Sequence, residues 1–183
     1  MLSRPLSVAM IFTVMAGLVA CSSTETIESD LGMPDAPDWV NEGTGAVDDD
    51  EGRFIQGVAY APPLNDQSLQ TSTADSRARA EVARVVSSYV DSTLNDYSAS
   101  AGDITFSNIE QTVISSTRTA LNGVRIRARW KDPQTGNIYS FAEMDMNDLD
   151  ASISTASKLS DNFRAFYTSQ GNANFERFVR GQD

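Results

Sequence analysis

Histidine is absent from this chain, cysteine occurs once and lysine only at Lys131 and Lys158; each shortage closes off a class of chemistry. Without imidazole and with a single thiol, the usual zinc, copper and haem ligands are missing, and no disulfide can form within a monomer. General acid–base work falls to carboxylates, tyrosine or the two lysines. A serine nucleophile would need one of those lysines as its base, and such a base must be buried to lose its proton readily. Lys131 falls at a turn and Lys158 on a polar helix face. No Gly-x-Ser-x-Gly elbow or phosphate loop occurs. Glu143 and Asp145 alternate along one strand and read as surface charge rather than as a glycosidase pair. The expectation is a non-enzymatic protein with no metal and no cofactor.

Basic charge is also scarce. The 183 residues carry 14 Lys and Arg against 25 Asp and Glu, a net charge of −11. Loss of the first 20 residues would remove Arg4 alone among charged groups, leaving 13 basic against 25 acidic residues and a net charge of −12. Such a body has no basic footprint for nucleic acid. Long apolar runs are confined to Val8 through Val19, preceded by Arg4. That length suits the core of an export signal and falls far short of a membrane span of about 20 residues.

The run closes on Leu18-Val19-Ala20-Cys21, which resembles the bacterial lipobox. The resemblance implies cleavage before Cys21, a diacylglycerol on its thiol and an acylated amino terminus. Ser22 in the next position, where an aspartate would retain the protein at the inner membrane, implies sorting to the outer membrane. One acyl chain binds a membrane weakly and reversibly; several together hold durably. Residues 1–20 are therefore expected to be a signal peptide and 21–38 a lipidated, flexible tether: Ser22 to Asp38 is polar, acidic and interrupted by Pro34 and Pro37. The body would lie in the periplasm or at the outer surface, held near the membrane by lipid alone.

Trp39 and Val40 mark the first place where the chain can dock on a core. Residues 39–168 are expected to form an α+β domain and 169–183 a helical tail. The loop from Asn41 to Gly52 contains Asp48-Asp49-Asp50-Glu51, whose unbroken run lacks the alternate spacing of a calcium loop and reads as solvated charge. Arg53 to Ala61 reads as a strand, with Phe54, Val58 and Tyr60 on one face and Ile55, Gly57 and Ala59 on the other; two mainly apolar faces place it centrally in a sheet. A helix from Gln67 to Leu94 buries Ala74, Ala78, Val82, Val85 and Tyr89, the small alanines allowing a close approach to the sheet. A second helix through Ile109 and Val113 stops near Asn122-Gly123.

Val124, Ile126, Ala128 and Trp130 then alternate with Arg125, Arg127, Arg129 and Lys131. Asp132 to Asn137 supplies a turn, and Ile138 to Met146 returns. Pairing Trp130 with Ile138 would set Arg129 opposite Tyr139, Arg127 opposite Phe141 and Arg125 opposite Glu143. The arginine row either recognises an acidic partner or makes ordinary cross-strand pairs; the pairs are the simpler reading. A third helix capped by Asn147 or Asp148 runs through Phe163, and Gly171 interrupts it. Phe163, Phe166, Phe175 and Phe178 are too many aromatics for a frayed end, so they belong either to the core or to an interface. The expected fold is two-layered: a three-stranded antiparallel sheet from residues 53–61, 123–131 and 137–146, with two or three helices on one face.

The order of Pro37-Asp38-Trp39-Val40, Phe54 to Ala59, Ala74 to Glu81, and Val124-Arg125-Ile126 through Tyr139, behind a lipobox, resembles the Lpp-twenty family of bacterial lipoproteins. The resemblance spans about Pro37 to Asp145 and contains no catalytic signature. It implies a non-enzymatic outer-membrane lipoprotein that self-associates into a homo-oligomer. Members tied to motility form or support rings or disks around the flagellar basal body, which makes basal-body proteins the expected partners. The alternative is a monomeric module that docks its arginine-striped or aromatic face on another envelope protein or a cell-wall enzyme.

Overall fold

A computed structural model describes residues 32–101 and 106–181. Cys21 and Ser22 lie outside the described residues. The fold is α+β, with an antiparallel sheet of four strands rather than three. In chain order the elements are helix α1 (Asp38–Glu42), strands β1 (Gly45–Asp49) and β2 (Gly52–Ala61), helices α2 (Gln67–Ala101) and α3 (Phe106–Ala120), strands β3 (Arg125–Lys131) and β4 (Ile138–Asp145), and helices α4 (Met146–Ser154) and α5 (Asp161–Arg180). A 3-10 turn at Leu121–Gly123 closes α3. The strand order is β1-β2-β4-β3, so β2 is central as its two apolar faces require.

The added strand comes from the expected loop. Gly45 to Asp49 pairs with Gln56 to Gly52, and Asp49 Oδ1 accepts from the Glu51 and Gly52 amides at 2.8 and 3.1 Å, forming the tight turn between them. The acidic run is thus a strand end and its hairpin turn.

The inner face of the sheet carries Ile55, Gly57, Ala61, Ile138, Ala142 and Met144, all buried. Helix α2 lies directly on it. Asp66 caps α2 by accepting from the Ser68 and Leu69 amides. The expected stripe of Ala74, Ala78, Val82, Val85 and Tyr89 is buried throughout. At Gly57 the two backbones come so close that a Cβ would stand 2.4 Å from the Ala78 carbonyl oxygen and 2.8 Å from the Val82 nitrogen. Glycine on the strand and alanine on the helix are therefore one device. Each fully buried aliphatic or aromatic side chain of this core contributes roughly 1.5–3 kcal/mol.

Three further expectations are corrected. Helix α2 continues to Ala101, past the Ser98 break. The third helix divides in two: Asp145 rather than Asn147 or Asp148 caps α4, and Ser160 begins α5 by accepting from the Phe163 amide. The Arg164 guanidinium donates to the carbonyls of Ser154, Ala156 and Leu159, satisfying the carboxyl end of α4 and the bend after it. Helix α5 then runs unbroken through Gly171 and across the expected 168/169 boundary. Among the described residues no helix is long and apolar enough to cross a membrane.

Candidate functional site

The hairpin of β3 and β4 departs from simple alternation. Lys131 pairs with Ile138, Trp130 with Tyr139, Arg129 with Ser140 and Ala128 with Phe141; a bulge at Ile126–Arg127 then restores Ile126 opposite Ala142 and Arg125 opposite Glu143. The Arg125–Glu143 pairing is as expected, whereas Arg129 is not opposite Tyr139 and Arg127 is not opposite Phe141. One extra residue reverses the faces of everything beyond it. Ala128 and Trp130 turn outward with Phe141 and Tyr139, while Arg129 turns toward α2.

The arginine row is dispersed by this reversal. Arg129 makes a two-pronged bond to Asp75 of α2, Nε to Oδ1 at 2.8 Å and Nη2 to Oδ2 at 2.7 Å, and Ser140 donates to the same Oδ1 at 2.7 Å. The Arg129 hydrogen bonds hold the Asp75 carboxyl below the usual carboxylate range against its burial, with Ser140 adding to the effect. On the outer face, Arg127 meets Glu143 at 3.3 Å, and Gln56 donates to the other oxygen of that carboxylate. Arg125 and Arg127 border a shallow cleft of about 290 Å³ together with Asp49, Glu51, Glu143, Asp145 and Asp148. The acids outnumber the two arginines, so the cleft offers an acidic partner no net positive field.

The aromatic candidates divide between core and surface. Phe163 and Phe175 are fully buried and belong to the core; Phe166 and Phe178 are half-buried against Tyr97 and Tyr89, at ring separations of 5.2 and 5.5 Å. Under α5 lies a polar cluster that sequence reasoning missed. Arg53 bonds Asp150 and stands 5.6 Å over the Phe175 ring, while Tyr167 donates to Asp150 Oδ1 at 2.8 Å. Burial alone would lower the Arg53 pKa; the adjacent Asp150 carboxylate more than offsets this and raises it. Burial, then the neighbouring Tyr89 and Asp150, pushes the Tyr167 hydroxyl up. Arg53 Nη1 and Asn174 Nδ2 are buried without hydrogen-bond partners.

The outer face carries a second feature. Tyr139 lies between Tyr60, at 5.3 Å, and Trp130, at 5.5 Å, and Trp39 of α1 stacks on Phe141 at 5.6 Å. Met33, in the expected tether, is held by paired bonds to Asn41, and its Sδ accepts from the Tyr139 hydroxyl at 3.4 Å. The last residues of that segment are thus docked on the sheet.

Lys131 and Lys158 are both exposed. A groove of about 550 Å³ lies between α3 and α4 and is lined mainly by serine and threonine, with Lys158 at its border. Among the described residues no group of three or more acidic or thiol side chains is arranged to hold a metal ion. No family model and no curated protein sequence matches this chain.

Proposed function

We propose that this chain is a lipid-anchored outer-membrane protein with a structural or assembly role in the cell envelope, its folded domain facing the periplasm. The observation that carries this reading is Leu18-Val19-Ala20-Cys21-Ser22 behind an apolar export signal, with only a short polar stretch before residues that dock on a folded domain. Within that reading, the order of segments shared with the Lpp-twenty family favours a flagellar outer-membrane ring or basal-disk component that acts by self-association, without catalysis and without a cofactor. A domain whose Arg127 and Arg129 are engaged in ion pairs of its own, and whose outer face presents aromatic rings, is suited to contact.

Mass spectrometry of the mature product tests the anchor: the expected result is an acylated peptide beginning at Cys21, and an unmodified cysteine overturns it. Sizing the detergent-solubilised protein tests assembly. A discrete large species supports self-association, whereas a monomer at high concentration selects the docking-module alternative. Loss of swimming on gene deletion supports the flagellar assignment; normal motility with intact basal bodies removes it.

A further inference from the structure

The end of the sheet formed by the β2 terminus and the β3–β4 turn is the most apolar exposed part of the described surface. Tyr60 is 49% exposed, Leu64 41% and Leu69 55%, and Pro62 and Pro63 between them are exposed as well. They share one end of the molecule. Gln70, beside Leu69, donates to the carbonyls of Ala61 and Gly136, and Pro63 packs against Gly136. Trp130 and Tyr139 continue the patch onto the outer face through ring contacts with Tyr60.

Two observations say what covers this patch. The first is where the chain arrives. Met33 reaches the domain at the Tyr139 hydroxyl, at the centre of the aromatic group. Only 12 peptide units separate Met33 from Cys21. Such a segment spans at most about 43 Å. A lipid on Cys21 therefore keeps the Met33 docking point, and the aromatic group around Tyr139, within that distance of the bilayer.

The second is composition and charge. Tyrosine and tryptophan with their polar tips, flanked by leucine and by cations, are what the lipid–water interface selects. In a chain of net charge −11, the patch is bordered by exposed Arg77, whose Nη1 donates to the Tyr60 carbonyl, and by exposed Lys131 beside Trp130. The nearby Asp66 is occupied in capping α2, and Asp132 is buried, accepting from Thr135 and the Gln134 amide. Arg77 and Lys131 are the side chains at this edge that can meet lipid phosphates.

We propose that this end, comprising Tyr60, Leu64, Leu69, Trp130 and Tyr139, rests in the interface of the membrane to which Cys21 ties the chain. The inference builds on the anchor reading and adds an orientation: the sheet's aromatic end faces lipid, and the acidic cleft and α5 face away.

Acylated protein carrying Trp39→Phe, which leaves Trp130 as the sole tryptophan of two, is reconstituted at low density in phosphatidylethanolamine and phosphatidylglycerol vesicles. Trp130 emission is expected to shift to the blue, and to lose most of its intensity when the lipids carry bromine near the headgroup. The triple variant Tyr60→Ser, Leu64→Ser, Leu69→Ser, altering only exposed side chains, is expected to melt as the parent does and to regain the emission. An acylated, folded protein whose Trp130 stays unquenched overturns the inference and leaves the anchor standing; cross-linking between copies through Leu64 or Leu69 would then identify a second copy as the occupant. A mature product without acyl groups, seen by mass spectrometry beforehand, overturns the anchor reading and this inference with it.

Discussion

Helices α2 and α5 both bury one side against the rest of the domain, and they do so by opposite means. Beneath α2 the contact is made of small residues: Gly57, Ala74, Ala78 and Val82 bring helix and strand backbones together, and the buried carboxylate there, Asp75, has both oxygens occupied by Arg129 and Ser140. Beneath α5 the contact is aromatic and polar. Phe163 and Phe175 anchor it, yet Arg53 and Asn174 each retain a buried nitrogen without a partner, and Gly171 faces open space. Small-residue contact yields proximity but tolerates no added atom, whereas the polar contact depends on matched partners.

The strongest test of that difference is Gly57→Val. Its Cβ would collide with backbone atoms of α2, which cannot swing aside as a side chain does, so the helix must lift from the sheet. The expected cost is about 3 kcal/mol or more. Thermal unfolding followed by circular dichroism checks it, and a melting temperature near that of the parent would show that the close approach is not a constraint.

Under α5 the sensitive group is Asp150. Asp150→Ala strands the Arg53 guanidinium and removes the acceptor of the Tyr167 hydroxyl. Loss of one partner from a fully buried pair costs roughly 3–5 kcal/mol. With the side chains of Arg53 and Asp150 still 16% and 31% exposed, about 2–3 kcal/mol is expected. The double variant Arg53→Met, Asp150→Leu removes both charges and is expected to recover part of the loss, because Nη1 no longer needs a partner while the Tyr167 hydroxyl still lacks its acceptor. Urea unfolding of the two variants separates the outcomes; equal losses would mean that the pair itself, rather than the stranded charge, stabilises α5.

Asp75 provides the smaller counterpart on the α2 side. Its folded pKa is depressed, so its stabilisation is fully present above the ordinary aspartate range and disappears as pH falls through the lower folded value. Asp75→Asn is expected to cost about 1–2 kcal/mol at neutral pH, tempered because Arg129 is half exposed. Its stability should then vary less than the parent's across the acid range. Parallel acid-side slopes in urea titrations would count against the carboxylate.

These two helix contacts were unequally legible in the sequence. The α2 stripe repeats at three and four over several turns, and alternation in Arg53 to Ala61 marks the strand beneath it, so both elements and their buried faces follow from periodicity. Strand β1 was hidden because Gly45-Ala46-Val47-Asp48-Asp49 is short and ends in charge; it forms because β2 offers it a partner. The bulge at Ile126–Arg127 was hidden by the very regularity of the segment, since the backbone breaks an alternation that the residue types preserve. The Asp75–Arg129 contact depends on that bulge and joins residues far apart in sequence, so no local pattern announces it. For the same reason the arginine row looked continuous, although Arg129 bonds Asp75 on the α2 side while Arg127 meets Glu143 on the outer face.

Gly171 marks the smallest expected effect and the finest distinction between the two helices. Sequence punctuation reads it as a break, yet α5 passes through it, and its carbonyl accepts from the Tyr89 hydroxyl at 3.4 Å. A Cβ there would meet nothing within 4 Å, in contrast to Gly57. Gly171→Ala should therefore leave the packing intact and reduce the backbone freedom of the unfolded chain, stabilising the protein by about 0.5–1 kcal/mol. A rise of about 1–4 °C in melting temperature is the corresponding readout. A fall instead would mean that the space beside Gly171 is taken up in solution, and that α5 packs more tightly than its unpaired polar groups imply.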